Sequence, residues 1–80
     1  MRMKTYQNRG GDSGIVAYDY DREKFSVQFG DRWVYEYPVS KIGVTNFNHM
    51  ITLAEGGEGL NAFIMRTPEI RRGYGRKYKC

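Results

Sequence analysis

Large side chains alternate with small or polar ones along residues 25–38. A period of two over this length is typical of β-strands that bury one face. Gly30 and Asp31 interrupt the pattern, and glycine reaches the positive φ angles of a two-residue hairpin turn without steric cost. The segment therefore predicts a β-hairpin, which is only marginally stable alone in water, so the rest of the chain must cover its apolar face. The large side chains of that face are Phe25, Val27, Phe29, Trp33, Tyr35 and Tyr37.

A further strand is predicted before the hairpin. Residues 14–20 alternate as well, with Val16, Tyr18 and Tyr20 on one face and Ile15 and Ala17 on the other. The polar residues that follow indicate a turn into the hairpin. A weaker strand is predicted within residues 2–9. Together these segments predict an antiparallel meander of three to four strands.

After Pro38 the apolar period changes from two to that of an α-helix. Thr45 or Asn46 is expected to cap the first helix. Gly56 or Gly57 is expected to end it in the left-handed conformation. Strands followed by helices predict an α+β fold in which two short helices pack on one face of the sheet. The helical positions are Phe47, Met50, Ile51 and Ala54 in the first helix and Leu60, Phe63 and Ile64 in the second.

The positive charge is concentrated in the last part of the chain. The net charge is +4, yet residues 66–80 alone carry +5 and residues 1–65 carry −1. Such a distribution indicates either a segment that meets phosphates or acidic surfaces or a solvated segment that only maintains solubility. Because no period continues beyond Gly73, we predict one domain over residues 1–80, with residues 73–80 a basic, flexible tail.

Catalytic and metal-binding constellations are missing from the sequence. His49 is the only histidine and Cys80 the only cysteine, whereas an activated nucleophile needs a neighbouring base and structural zinc needs four Cys or His ligands. We therefore expect a chain that is not an enzyme and has no metal site and no cofactor. A run of about 18 apolar residues, which a membrane helix needs, is also missing, so we expect no membrane partner and a cytoplasmic location.

The tyrosines of the hairpin are the strongest candidates for ligand contact. Tyr35 and Tyr37 share one face of a strand, about 7 Å apart, and single-strand binders stack bases on such rings while Arg and Lys contact phosphates. The alternative is that Trp33 and the tyrosines form the core. An intermediate arrangement buries the rings and leaves the hydroxyls in a cleft between sheet and helices. The candidate ligand-binding residues are Tyr35, Tyr37, Arg9, Lys41, Asn61, Arg66, Arg71 and Arg72.

Several short segments follow one another in an order found in a known family. They read D-S-G-I-V-A-Y-D, F-S-V-Q-F-G, Y-E-Y and I-R-R-G-Y, and they lie within residues 12–74. In this order they resemble the KTSC domain, named for the C-terminal extension of some lysyl-tRNA synthetases and also found as small stand-alone proteins of bacteria and phages. The helical half, N-H-M-I-T-L-A-E-G-G-E-G-L-N-A-F-I, is similar to the phage and bacterial subgroup rather than the synthetase type. The resemblance implies binding of RNA or another nucleic acid.

Two functions of different classes follow as predictions. The first is a small non-catalytic module that binds nucleic acid or nucleotide phosphates through its basic end and tyrosine hydroxyls, with affinity that falls as salt rises. The alternative is a phage-type interaction or inhibitor module that docks a host protein or sequesters a signalling nucleotide as an oligomer. A homo-oligomer is compatible with the narrow stability margin of an 80-residue chain. A structural domain without a ligand is the third reading.

Overall fold

A computed structural model of the chain describes residues 3–9 and 14–79. These residues form an antiparallel sheet of five strands in chain order, with four helices between the fourth and fifth strands. Residues 2, 12, 13 and 80, which enter the sequence predictions, lie outside the described part. The strands are β1 (Lys4–Thr5), β2 (Ile15–Tyr20), β3 (Lys24–Phe29), β4 (Trp33–Pro38) and β5 (Arg76–Lys79). The helices are α1 (Val39–Ile42), α2 (Val44–Gly56), α3 (Leu60–Arg66) and α4 (Pro68–Arg71).

The predicted α+β class is confirmed, and the meander has one strand more than the largest predicted number. The central hairpin is β3–β4, in which Phe25 pairs with Tyr37 and Val27 with Tyr35. All four of these side chains therefore point to the same face. That face meets the helices, and the rings of Phe25 and Tyr37 are buried in the core.

The hairpin turn differs from the predicted two-residue form. Three residues, 30–32, connect β3 to β4, and the positive φ of 73° belongs to Arg32 rather than to Gly30. The amide of Arg32 donates to the carbonyl oxygen of Phe29 at 2.9 Å, and Asp31 accepts a hydrogen bond from the amide of Trp33 at 3.1 Å. A β-turn followed by one left-handed residue is the usual three-residue hairpin connection, which the Gly-Asp pair alone does not predict.

The face assignment in β2 was wrong at its start. Ile15 pairs with Phe29 and Ala17 with Gln28, so Val16 is the extra residue of a β-bulge. Because a bulge shifts the alternation by one position, Ile15 and Tyr18 are both buried while Val16 is exposed, so Val16 does not share the face of Tyr18. Strand periodicity alone gave no sign of this extra residue.

The two predicted helical faces are confirmed. Phe47, Met50 and Ala54 of α2 are buried and Ile51 packs beside them; Leu60, Phe63 and Ile64 of α3 are buried as well. The short helices α1 and α4 were not predicted as separate elements, and each buries one isoleucine, Ile42 and Ile70. Together the four helices cover the part of the aromatic face that carries Phe25, Val27 and Tyr37.

The ends of α2 confirm one predicted cap and correct the other. Gly57 adopts a left-handed φ of 81°, and its amide donates to the carbonyl oxygens of Leu53 and Ala54, which closes the helix as expected. At the start, neither Thr45 nor Asn46 is the cap. Gly43 takes that position without a side-chain hydrogen bond, and the Asn46 amide instead donates to the carbonyl oxygen of Ile42 at 2.8 Å.

The predicted tail contains the fifth strand. Residues 76–79 pair with β4 along its free edge, with Trp33 opposite Lys79 and Tyr35 opposite Lys77. The sequence did not predict this strand because it is short and mostly cationic, and pairing to β4 supplies backbone hydrogen bonds that local pattern does not show. Lysine is a common residue on edge strands, where its charge opposes pairing with a further chain.

The chain turns back toward the sheet at Gly73. A β-carbon at this position would lie 2.3 Å from the carbonyl oxygen of Glu69 and 2.9 Å from Cγ2 of Ile42. Only glycine fits between α1 and the end of α4, and the amide of Gly75 then donates to the carbonyl oxygen of Glu36 at 2.8 Å. The absence of a side chain at residue 73 thus brings the basic end of the chain onto β4.

Candidate ligand-binding site

A pocket opens between β4 and the α3–α4 segment, beside the β3–β4 turn. Its volume is about 610 Å³, which falls within the range of roughly 300–1,000 Å³ that is typical of small-molecule sites. Most of the lining is aromatic or aliphatic, and Arg71 and Asp31 are its charged members. We call it the Tyr37 pocket; its aromatic and aliphatic lining residues are Phe29, Tyr35, Tyr37, Ile64, Met65 and Tyr74.

Tyr35 is the centre of the aromatic wall. Its ring packs edge-to-face with Phe29, with centroids 5.5 Å apart, and with Tyr74, with centroids 5.1 Å apart. The ring of Tyr37 lies nearly parallel to it at 6.4 Å. Because β4 places residues 35 and 37 on one face and the turn at Gly73 brings Tyr74 against them, residues from distant parts of the chain form one wall.

Tyr37 combines a buried ring with a hydroxyl that lacks a protein partner. The residue is only 3% exposed, and its hydroxyl makes no hydrogen bond to any residue in the described ranges. Every buried side-chain polar atom in these ranges that is closed off from solvent has a hydrogen-bond partner, so the Tyr37 hydroxyl still has some contact with solvent. Tyr37 is also one of the residues that line the pocket. Burial, followed by the nearby phenols of Tyr35 and Tyr74, raises the pKa of Tyr37 well above its usual range.

Two lysines of β5 lie over aromatic rings, two of which also line the pocket. The ammonium of Lys77 is 5.5 Å from the ring centroid of Trp33 and 5.9 Å from those of Tyr35 and Tyr74. The ammonium of Lys79 is 5.8 Å from the Trp33 ring. These distances are within the cation–π range of about 6 Å. We call these five residues, Trp33, Tyr35, Tyr74, Lys77 and Lys79, the aromatic–cation surface.

The lysines of this surface have no carboxylate partner among the described residues. Within residues 3–9 and 14–79, the one ion pair joins Lys24 to Glu36 at 3.7 Å. Lys77, Lys79 and Arg71 are exposed and form no such pair there. An exposed, uncompensated group of cations beside aromatic rings is the arrangement with which proteins attract phosphates and stack bases.

The structure brings together three of the eight candidate residues from the sequence. Tyr35, Tyr37 and Arg71 line the Tyr37 pocket, and the other five do not. Arg72, Arg66 and Lys41 are exposed on or beside the helices, and Asn61 is half-buried on α3. Arg9 lies beside the end of α2, where its side chain donates to Gln7 at 2.8 Å and its amide to the carbonyl oxygen of Gly57 at 2.7 Å.

Sequence reasoning missed Tyr74, Lys77 and Lys79 as site residues. Their place at the pocket depends on β5, which was predicted as a flexible tail. One local signal was present: Lys77 and Lys79 flank Tyr78 with a period of two, which puts both ammonium groups on the face opposite to that of Tyr78. A reading of K-Y-K as a strand would have placed both lysines on one face, but only the register with β4 shows that this is the aromatic face.

Among the described residues, His49 and the carboxylates do not form a second site. The His49 ring packs against Phe63, with centroids 4.2 Å apart, on the exposed side of α2. Glu55 accepts a hydrogen bond of 2.6 Å from the Tyr20 hydroxyl, which raises the pKa of that tyrosine. The described residues contain no group of three or more potential metal ligands, and none of their helices has the length and apolar character of a membrane span.

No protein-family model matches the chain, and no curated protein and no solved structure is significantly similar to it. The resemblance to the KTSC domain therefore stays a prediction. The functional argument below depends on the pocket and on the aromatic–cation surface.

Proposed function

We propose that the chain is a KTSC-like, non-catalytic binding module of the cytosol whose ligand is nucleic acid or a nucleotide phosphate. The observation that carries the proposal is the aromatic–cation surface, where two lysines that form no ion pair within residues 3–9 and 14–79 lie over three rings. Rings supply stacking faces for bases and ammonium groups supply contacts for phosphates. Both are needed for a ligand that alternates flat apolar bases with anions.

The exposure of the surface supports the same function. Tyr74 is 36% exposed, Trp33 and Tyr35 are half-buried, and both lysines are exposed. The rings are therefore held by the fold but still offer area to a partner. A core cluster would have no such area, and a purely solubilising segment would not hold its cations over rings.

Binding is tested with a short single-stranded oligonucleotide, DNA or RNA, and the fluorescence of Trp33, the only tryptophan. Stacking on the surface is expected to quench this fluorescence. The logarithm of the affinity should fall linearly with the logarithm of the salt concentration, by about 0.7 per phosphate contact. The double variant Lys77→Gln/Lys79→Gln is expected to bind about tenfold more weakly or worse and with a shallower salt dependence.

The matched control removes the same charge at the other end of the sheet. Arg22 is exposed in the β2–β3 turn and Lys41 is exposed on α1, so Arg22→Gln/Lys41→Gln should bind nearly as the parent does. If the two double variants bind alike, net charge and not the aromatic–cation surface attracts the ligand. Affinity that does not change with salt would reject the phosphate contacts.

The edge position of β5 favours protein docking as a second candidate function. In the order of the sheet, β5 has one neighbour, β4, so its other side offers backbone hydrogen-bonding groups to an added strand. Arg76, Lys77 and Lys79 oppose the pairing of two copies and favour an acidic partner segment. Protein docking would be supported instead if the chain does not bind oligonucleotides and sediments as a defined oligomer or together with a stable protein partner.

A further inference from the structure

The Tyr37 pocket is larger and more apolar than phosphate binding requires. Phosphates are held by exposed cations, and Lys77 and Lys79 already supply these outside the pocket. The pocket adds a cavity of about 610 Å³ with aromatic and aliphatic walls. A cavity of this composition suits a flat, partly apolar group with few hydrogen-bonding atoms.

The hydroxyl of Tyr37 gives the apolar wall a hydrogen-bonding position. It has no partner among the described residues, and the ring that carries it is almost wholly buried. A hydroxyl in such a place is stable only with water or a ligand atom as its partner. Since the hydroxyl both donates and accepts, it matches the polar edge of a nucleobase.

Lys77 and Arg71 lie close enough to the pocket to contact the phosphate attached to such a base. Lys77 lies equally close to Tyr35 and Tyr74, at 5.9 Å from each ring, and both rings line the pocket. Its ammonium thus lies beside two rings of the pocket wall, although Lys77 is not itself a lining residue, and Arg71 lines the same pocket from α4. A largely apolar cavity lined by three tyrosines, with Arg71 in its wall and Lys77 beside two of its rings, has the layout of a base and its adjoining phosphate.

We infer that the Tyr37 pocket is a subsite for a single unstacked nucleobase, whose polar edge is hydrogen-bonded by the Tyr37 hydroxyl while the adjoining phosphate contacts Lys77. This inference rests on the proposed function and makes it more specific. A paired base inside a duplex cannot enter, because its faces are stacked and its edge is occupied. The chain therefore selects single strands or free nucleotides over duplexes.

The experiment compares strands with and without bases. Fluorescently labelled oligothymidylate and oligoadenylate are titrated against an abasic strand of the same length, and binding is followed by anisotropy. At least one base-containing strand is expected to bind about tenfold more tightly than the abasic strand, as loss of base stacking predicts. A duplex of the two strands should bind no better than the abasic strand.

Tyr37→Phe tests the hydroxyl and keeps the ring. It is expected to weaken binding of the preferred base-containing strand about threefold to tenfold and to leave the abasic strand and the salt dependence unchanged. Tyr78→Phe is the matched control, since Tyr78 pairs with Val34 on the opposite face of the sheet. Thermal unfolding of both variants verifies that each one is folded.

The outcomes separate the subsite from the proposed function. If abasic and base-containing strands bind equally while Lys77→Gln/Lys79→Gln still weakens both, the base subsite is rejected and phosphate binding stands. If no strand and no nucleotide binds, both fail. If base-containing strands bind more tightly, thymidine or adenosine monophosphate is added as a competitor. Competition shows that a free nucleotide is a sufficient ligand, and a lack of competition shows that the ligand must be a strand.

Discussion

At the scale of the residue, the titration of the Tyr37 hydroxyl makes the free energy of unfolding depend on pH. Burial raises its pKa above the ordinary value of 10.0, so between these two pKa values the unfolded chain loses a proton that the folded chain retains. The stabilising effect is complete below pH 10 and is lost as pH rises above it, by up to about 1.4 kcal/mol per pH unit. We expect Tyr37→Phe to flatten the alkaline decline of the unfolding free energy, measured by urea denaturation.

The comparison for this prediction is Tyr78→Phe, which removes a hydroxyl from the opposite face of the sheet. It should retain the alkaline decline of the parent chain. Some decline is expected to remain in Tyr37→Phe as well, because burial and Glu55 raise the pKa values of Tyr18 and Tyr20. If both phenylalanine variants lose stability with pH as the parent does, the Tyr37 hydroxyl is not the group that titrates.

Single residues also show how far the site was predictable. The alternation in β4 placed Tyr35 and Tyr37 on one face, and the structure has both in the wall of the pocket. Neither Tyr74 nor Lys77 could be assigned in the same way. Their contact with Tyr35 requires the chain to turn back at Gly73, and the close approach of the Glu69 carbonyl oxygen that excludes a side chain there is not revealed by any local pattern.

At the scale of the element, Gly73 sets the angle between α4 and β5. In Gly73→Ala the new methyl group meets backbone at 2.3 Å, so α4 or the following segment must move. We expect a loss of about 1–3 kcal/mol in unfolding free energy, together with weaker oligonucleotide binding because β5 shifts. Chemical denaturation and the anisotropy titration measure the two effects.

Gly56→Ala is the matched control for that substitution. Gly56 is the last residue of α2, has no positive φ, and has nothing within 4 Å of an added β-carbon. Alanine there should leave stability unchanged or raise it by up to about 1 kcal/mol, since it restricts the unfolded chain. Equal stability of the two alanine variants would show that the close approach at Gly73 is relieved without cost.

Helices and strands were predictable where their apolar residues follow a regular period, and they were not predictable where that period is interrupted. The faces of α2 and α3 and the core face of the hairpin follow directly from residue spacing. The bulge at Val16 and the left-handed turn residue Arg32 do not, since each depends on how two strands align rather than on either strand alone. Short elements such as α1 contain too few residues to show any period.

At the scale of the whole molecule, the sheet is completed by the end of the chain. Strands β2, β3 and β4 are consecutive, whereas β5 reaches β4 only after all four helices. Local alternation was therefore sufficient to predict the α+β class and the central meander. The last strand has contacts of long sequence separation, and those contacts also build the aromatic–cation surface, so fold closure and candidate site depend on the same segment.

A truncation after Gly75 tests this dependence. Val34 is 1% exposed and is flanked across the sheet by Gln28 and Tyr78, so loss of β5 uncovers a buried valine and opens the edge of β4. We expect the unfolding free energy to fall by at least about 2 kcal/mol, with oligonucleotide binding reduced below that of Lys77→Gln/Lys79→Gln. Urea denaturation followed by Trp33 fluorescence measures the first effect, and a chain lacking only residue 80 is the control. If the truncated chain and the parent chain unfold at the same urea concentration, β5 does not stabilise the sheet. In that case the lysines would contact the rings only in the presence of a ligand.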